Sequence, residues 1–255
     1  DKKHKFLAII PAHNEEAVVG SLIASLQDQS YDSKDYDIFV IADNCTDKTE
    51  EIAREAGVNV FVRTETDPAK KTKGAALQVF LNKILNDPEA DYEAFCIFDA
   101  DNVLDKHFIK EMLITYKNGY DIACGYRALK NKKFNLYAYS SILSFSLLNT
   151  VANQGKSKNN LSILLSGTGF YFSKKVIKNG YNFHNLTEDY ELSLYSIINN
   201  FSSTYNPKAI YYDEQPEDYK TTVTQRVRWI KGYFESRKKY MKILNKEDIM
   251  EIYLL

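Results

Sequence analysis

Residues 94–102 read AFCIFDADN. The run from Ala94 to Phe98 is apolar without a break, and it ends abruptly in two aspartates two positions apart, Asp99 and Asp101. A short unbroken apolar run bounded by turn formers is the pattern of a strand buried on both faces, the condition of a parallel sheet with helices on either side. The pattern recurs toward the N-terminus. Phe6 to Ile10 is an apolar run stopped at Pro11, Tyr36 to Ala42 ends in Asp43-Asn44, and Val58 to Val62 makes a third. Between these runs the apolar spacing becomes helical: from Val18 to Leu26, from Thr46-Asp47 to Ala56, and from the basic loop Lys70-Lys71-Thr72-Lys73-Gly74 to about Leu85. Thr46-Asp47 also supplies N-cap chemistry, with Glu50 three residues beyond Asp47. Strands alternating with helices predict an α/β fold with a mainly parallel central sheet flanked by helices.

Beyond Asn102 the pattern is less regular, and a mixed topology is expected. It shows a strand near Ile122 to Gly125, a long apolar helix from Phe134 to Ala152, and strands at Ser162 to Leu165 and Phe170 to Phe172. A helix beginning near Glu188, a strand at Ala209 to Tyr212 and a final helix from about Thr222 to Leu244 complete the chain. No internal repeat, low-complexity stretch or Pro/Gly/Ser linker divides it, so one domain over residues 1–255 is expected.

Composition narrows the function classes. Hydrophobic residues make up 44% and charged residues 26%, ordinary values for a globular chain with a full core. Lys and Arg number 33 against 34 Asp and Glu, so there is no overall bias toward polyanions and nucleic acid is not an expected partner. Cys45, Cys96 and Cys124 form no C-x-x-C pair, and the last two lie in apolar runs; they read as reduced core thiols. No window is apolar enough to span a membrane and DKKHKFLAII is too short for a signal peptide, so a soluble chain is expected. It opens without Met and stops at Ile-Tyr-Leu-Leu as the tail turns apolar, the appearance of a domain cut from a membrane-anchored protein.

In an open α/β sheet, ligands sit outside the carboxyl ends of the strands. The first candidates are therefore the polar residues after each run: Pro11-Ala12-His13-Asn14-Glu15-Glu16, Asp43-Asn44, and Asp99-Ala100-Asp101-Asn102. Two carboxylates at a strand end suit a divalent cation, which takes hard oxygen ligands and leaves positions for water and phosphate. Such a cation would neutralise a diphosphate leaving group. Asp is also common in turns, but an uncompensated carboxylate after a buried strand is costly, which favours a ligand role for Asp99. Asp43 follows the same logic, with an Asx turn or helix cap as the plainer explanation. Leu186-Thr187-Glu188-Asp189 opens a helix, where first-turn acids are favoured by capping and the helix dipole whatever their function. Gln225-Arg226-Val227-Arg228-Trp229 sets the only Trp beside two guanidinium groups. Arg can clamp a phosphate through paired hydrogen bonds and an indole can stack on a sugar ring; a basic helix on a solvated face is the alternative. Arg127, following a strand, is a further candidate for contact with donor or acceptor, whereas His13, His107 and His184 have no metal-ligand spacing and read as structural.

PAHNEE, IADN, DAD, TED and QRVRW, in this order, resemble the family 2 glycosyltransferases, and most of all the synthase branch that makes cellulose, chitin and hyaluronan. The resemblance runs from about Phe6 to Trp229. It implies a GT-A fold, Rossmann-like, with a nucleotide-binding half at about 1–130 and an acceptor-binding half at about 131–255 that carries the basic C-terminal helix. It implies an inverting transfer of glucose or N-acetylglucosamine from a UDP-sugar to a glycan hydroxyl, in β-glucan or other polysaccharide synthesis. Ala12, Glu15 and Asp43 would lie near the uridine, Lys73 near the nucleotide with Asp99 beside it, and Asp101 would ligate Mn or Mg. Asp189 would be the general base, with Glu188 and Thr187 shaping its site. Gln225, Arg226 and Arg228 would close over the diphosphate while Trp229 faces the acceptor, and Gly167 and Thr168 would lie near the acceptor pocket.

The sequence departs from the integral synthases in lacking their flanking membrane helices, so processive export does not follow from it. The resemblance implies a cytoplasmic enzyme at the inner face of the plasma membrane, anchored by segments or partner subunits outside this chain. From Arg226 to Leu244 seven Lys or Arg stand against the lone acidic Glu235, with aromatic and aliphatic residues interspersed, which suits either an anionic membrane surface or a solvated amphipathic helix. The competing readings are a transferase acting on a lipid-linked or single oligosaccharide acceptor, and a non-catalytic nucleotide-sugar-binding subunit. Intact DAD and TED motifs speak against the second.

Overall fold

A computed structural model describes residues 5–31 and 35–253. Asp1 to His4, at the start of DKKHKFLAII, and the last two residues of the apolar tail lie outside the described residues. Strands β1 (Phe6–Ala12), β2 (Tyr36–Asp43), β3 (Asn59–Arg63) and β4 (Ala94–Ile97) lie side by side in the order β3-β2-β1-β4, all parallel. Helices α1 (Val19–Gln27), α2 (Thr49–Glu55) and α3 (Lys73–Leu85) connect them, as the alternating pattern requires.

The unbroken apolar runs are explained by the layers on both faces. In β1, Phe6, Ala8 and Ile10 pack in one core with Leu22, Ile23 and Leu26 of α1, while Leu7 and Ile9 pack in the other with Leu77, Phe80 and Leu81 of α3. Each such side chain taken fully from water contributes roughly 1.5–3 kcal/mol, so a polar residue in either set would be selected against.

The sheet continues through β7 (Phe170–Ser173), β6 (Ile122–Leu129), β8 (Ser203–Asp213) and the short β5 (Val103–Leu104). β7 is antiparallel to β4 and to β6, whereas β6 and β8 are parallel. One sheet edge therefore collects the carboxyl ends of β1, β2, β4, β6 and β8 together with the amino end of β7.

Several features differ from the sequence reading. Ser162 to Leu165 is not a strand. Its backbone amides are taken by side chains instead: Ile163 by Ser203 Oγ, Leu164 by Asn153 Oδ1 and Leu165 by Ser193 Oγ, at 2.9–3.0 Å. Helix α4 (Phe108–Lys117) fills a stretch the sequence reading leaves unassigned, although Phe108, Ile109, Met112 and Leu113 have helical spacing and all four are buried. The long apolar stretch splits into α5 (Leu136–Ser146), a π-helical segment over Leu147–Asn153 and α6 (Gln154–Lys158). The π segment includes the buried Asn149 and Asn153, and the Asn153 amide then bonds the backbone of Leu164 in both directions. Helix α7 (Glu188–Ile198) begins where expected. Helix α8 (Tyr219–Tyr240) starts earlier, because Asp218 caps it by accepting from the Thr221 amide at 2.9 Å; α9 (Lys246–Tyr253) follows.

Candidate active site

A cleft of about 880 Å³ opens along that sheet edge, between the strand ends, the start of α7 and one side of α8. Ala12, Glu15, Asp43, Lys73, Asp99, Asp101, Gly167, Thr187, Glu188, Asp189, Gln225, Arg228 and Trp229 all line it. Two expected residues do not. Thr168 lies behind the wall, 1% exposed, with its hydroxyl accepting from the Asp99 amide at 2.8 Å and donating to Asn102. Arg226 points along α8 toward α5, with Nη2 3.5 Å from Ser141 Oγ.

Each carboxylate in the cleft has its own environment. Asp43 is neutralised by Arg63, whose Nη1 lies 2.7 Å from Oδ1 and whose side chain is also buried. The Lys73 ammonium lies 2.6 Å from Asp99 Oδ1 and 3.4 Å from Glu188 Oε1, and donates to the Gly167 carbonyl at 2.6 Å. Burial works against the lysine's charge, but Asp99, Glu188 and Asp189 outweigh it and hold the group above the ordinary lysine range. Burial pushes Glu188 up to about 7, with Lys73 pulling it down and Asp189 pushing it up. Asp189 is raised chiefly by burial, against the amides of Tyr190 and Gly167 and the charge of Lys73. Burial and then Asp99 raise Glu15.

Asp101 sits among other carboxylates. Burial, with Asp213, Asp99 and Glu15 around it, pushes it up to about 8 in spite of Lys130. A half-buried carboxylate among carboxylates fits a bound cation, which would offset the repulsion. Among the described residues no three His, Cys, Asp or Glu side chains cage an ion by themselves. Asp99 and Asp101, hard oxygen donors on the cleft wall, are the side chains that would hold a divalent cation.

Behind this wall runs a buried polar network of which the sequence reading names Asp101, Asn102 and Arg127 but not Asp213, Gln215 or Tyr211. The Asn102 amide nitrogen donates to Asp101 Oδ1 at 3.1 Å and to Asp213 Oδ1 at 2.7 Å, bringing the two carboxylates to one donor. Asp213 Oδ2 also receives Gln215 Nε2 and lies 3.4 Å from Arg127 Nη1. Arg127 donates to Tyr211 Oη at 2.9 Å and to the Ser166 carbonyl, and its guanidinium lies 3.8 Å from the centroid of the Phe145 ring. The side-chain carbonyl oxygen Oε1 of the buried Gln215, at the cleft wall, has no partner among the described residues. Tyr211 also closes on Gly169: a side chain there would meet the Tyr211 ring at 2.1 Å, and the backbone has φ of +66°, so glycine is required. The network ties the DAD turn to β6, β8 and the 166–169 loop.

A family model described as "Glycosyltransferase like family 2" matches residues 4–232. The chain is 27% identical over 239 residues to the probable glycosyltransferase YdaM of Bacillus subtilis, covering 89% of this chain and 55% of that one. It spans about half the length of the curated relatives it matches. Among solved structures, the mannosyltransferase PcManGT of Pyrobaculum calidifontis, in complex with GDP-Man and Mn2+, superposes with a TM-score of 0.74 at 14% identity, over 96% of this chain and 66% of that one. TarS of S. aureus in complex with UDP-GlcNAc superposes with a TM-score of 0.60 at 17% identity, over 84% and 60%. These likenesses give the GT-A fold, and the matched span contains the strand ends, the DAD and TED turns and most of α8; the chain belongs to the family 2 glycosyltransferases.

Proposed function

We propose that the chain transfers glucose or N-acetylglucosamine from a UDP-sugar to a glycan hydroxyl, with inversion at the anomeric carbon. The observation that carries this reading is the convergence of Asp189, Asp101, Asp99 and Lys73 in one cleft with Arg228 and Trp229 on its α8 side. The TarS complex with UDP-GlcNAc supports the donor class, and the QRVRW segment supports a glycan acceptor. Asp189 takes the proton from the acceptor hydroxyl as its oxygen attacks the anomeric carbon. The bond from that carbon to the phosphate oxygen breaks on the opposite side, and its electron pair leaves with UDP. A raised pKa suits this role, because a base whose proton affinity approaches that of its surroundings transfers protons more readily. Mn or Mg, held by Asp101 and Asp99, would neutralise the departing diphosphate. Lys73 holds Asp99 in place, and Arg228 adds a positive charge on the opposite wall.

Calorimetric titration of the chain with UDP, UDP-glucose and UDP-N-acetylglucosamine, in Mn and then in EDTA, tests this. UDP is expected to bind with metal only, and one sugar donor best. A folded chain that binds none of them in Mn would sink the reading.

Helix α8 acts as the movable wall in this reading. It packs on Thr187 through Gly232, where an added Cβ would lie 2.7 Å from Thr187 Oγ1 and Cγ2. Gly232→Ala gains about 0.5–1 kcal/mol in helix preference but costs about 1–3 kcal/mol in overpacking. The expected result is a small net loss of stability with about a tenfold slower transfer, as Gln225, Arg228 and Trp229 move off the cleft. Thermal melts and initial rates on the same preparation check it.

A further inference from the structure

The first turn of α7 carries three acidic residues, Glu188, Asp189 and Glu191. Glu188 and Asp189 line the cleft; Glu191 does not, and it is 0% exposed. Its carboxylate is nevertheless fully engaged. Oε2 accepts from the backbone amides of His184 and Asn185, each at 3.2 Å. Oε1 accepts from Lys239 Nζ and from the Tyr240 hydroxyl at 3.4 Å. One side chain thus joins three pieces: α7 with Asp189 on it, the loop whose Asn185 and Leu186 line the cleft, and the rear of α8. A carboxylate this deeply buried is tolerated only with such partners. Desolvation offsets much of the attraction in a buried ion pair, so the pair is weak evidence for stability. Its directed bonds hold one relative placement of the three pieces.

The piece with most freedom to be placed is α8. Only its rear half is anchored: Gly232, Ser236 and Tyr240 are buried at four-residue spacing, whereas from Tyr219 to Lys231 Thr222 is the one buried residue. Gly232 lies so close to Thr187 that an added Cβ would crowd it, and Asn185 Nδ2 reaches Ser236 Oγ at 3.4 Å. Gln225 stands seven residues ahead of Gly232 and Lys239 seven behind, about 10 Å each way at 1.5 Å per residue. A tilt of about 5° at Gly232 that moves Lys239 about 1 Å off Glu191 therefore moves Gln225 about 1 Å the other way. Arg228 and Trp229, nearer the pivot, move about half as far. A misplacement of about 1 Å can cost about 100-fold in rate.

We propose that Glu191 is a positioning residue: by holding Lys239 and Tyr240 at the rear of α8, it sets the angle at which Gln225, Arg228 and Trp229 overhang Asp189. The proposal rests on the sugar-transfer reading for what the held groups do, but not for where they are held. Trp229 is the chain's only tryptophan, so intrinsic fluorescence reports the placement without any chemistry.

The test compares Lys239→Met, Glu191→Gln and Lys239→Arg with the unaltered chain, well below their melting temperatures. The Lys239 side chain is 44% exposed, so Lys239→Met opens the contact from the surface. Lys239→Met and Glu191→Gln are expected to raise the acrylamide quenching constant of Trp229 about 1.5-fold to twofold. Transfer from UDP-glucose or UDP-N-acetylglucosamine to short cello- or chito-oligosaccharides is expected to slow about tenfold in kcat. The donor KM and the calorimetric affinity for UDP in Mn should stay within about threefold, because Asp99, Asp101 and Lys73 keep their places. Lys239→Arg, which keeps a cationic donor, is expected to restore both quenching and kcat. Quenching and kcat that remain at the unaltered values in Lys239→Met, whatever its melting temperature, overturn the proposal and leave Glu191 a stabilising contact only. A loss that Lys239→Arg fails to restore overturns it as well. Should Glu191→Gln not fold, the two Lys239 variants decide. If the unaltered chain transfers sugar to neither acceptor, the sugar-transfer reading fails separately, and the quenching comparison decides the placement.

Discussion

Asp189→Asn is expected to bind UDP as tightly as the unaltered chain and to transfer sugar about 1,000-fold more slowly, the scale of a lost general base. The substitution keeps shape and burial and replaces the charged, basic carboxylate by a neutral amide that cannot take up the hydroxyl proton. Asp189 stands at the first turn of α7, beside Glu188, and its contacts are to the Tyr190 and Gly167 amides rather than to the DAD carboxylates. UDP affinity therefore has no reason to fall. Equal loss of UDP binding here and in an Asp101 variant, measured by calorimetry in Mn, would sink the division of roles between base and cation ligand.

The second large effect is expected at Asp101. Asp101→Ala should abolish the metal-dependent part of UDP binding and with it transfer, while in EDTA its stability relative to the unaltered chain rises with pH. The sign follows from protons. The folded-state pKa of Asp101 is raised from 3.8 to about 8, so between those values the folded chain holds a proton that the unfolded chain has released. Its contribution to stability is therefore present below about pH 4 and is lost as pH rises toward 8. Removing the carboxylate removes that loss. At 1.36 kcal/mol per pKa unit, and discounted for partial exposure, the variant gains about 2 kcal/mol on the unaltered chain between pH 4 and pH 8, over a pH-independent cost of about 1–3 kcal/mol for the Asn102 donor left without Asp101. Urea melts in EDTA at the two pH values check it. A variant equally destabilised at both would mean that Asp101 serves the fold and not a ligand.

The mutual repulsion around Asp101 also explains the buried network behind it. Leaving Asn102 or Gln215 without their carboxylate partners would strand donors in a nearly dry wall, at about 1–3 kcal/mol each. Arg127 offsets part of the negative charge and is itself held on three sides, by Asp213, Tyr211 and the Ser166 carbonyl. The site is thus rigid where the DAD turn sits and depends on side-chain packing at Gly232 where α8 closes it.

What could be read from the chain alone is what depends on near neighbours. The period of apolar residues marks β1 to β4 and their helices, because alternation and helical spacing follow from backbone geometry within a few residues. Acidic residues just past those strands then fall at the ligand edge by the topology of parallel sheets. The same spacing is present at Phe108, Ile109, Met112 and Leu113, so α4 was legible, whereas Ser162 to Leu165 reads as a strand and is not one because distant side chains take its amides. Tertiary structure alone decided that Arg63, not a cap, answers Asp43, that Thr168 supports Asp99 from behind, and that Arg226 leaves the cleft for α5. It also brought Asn102 to Asp213 across 111 positions and Arg127 to Tyr211 across 84. No local pattern encodes those pairs. A buried charge or amide must find a partner to be tolerated, but which partner is set by the strand order that carries distant residues to one edge.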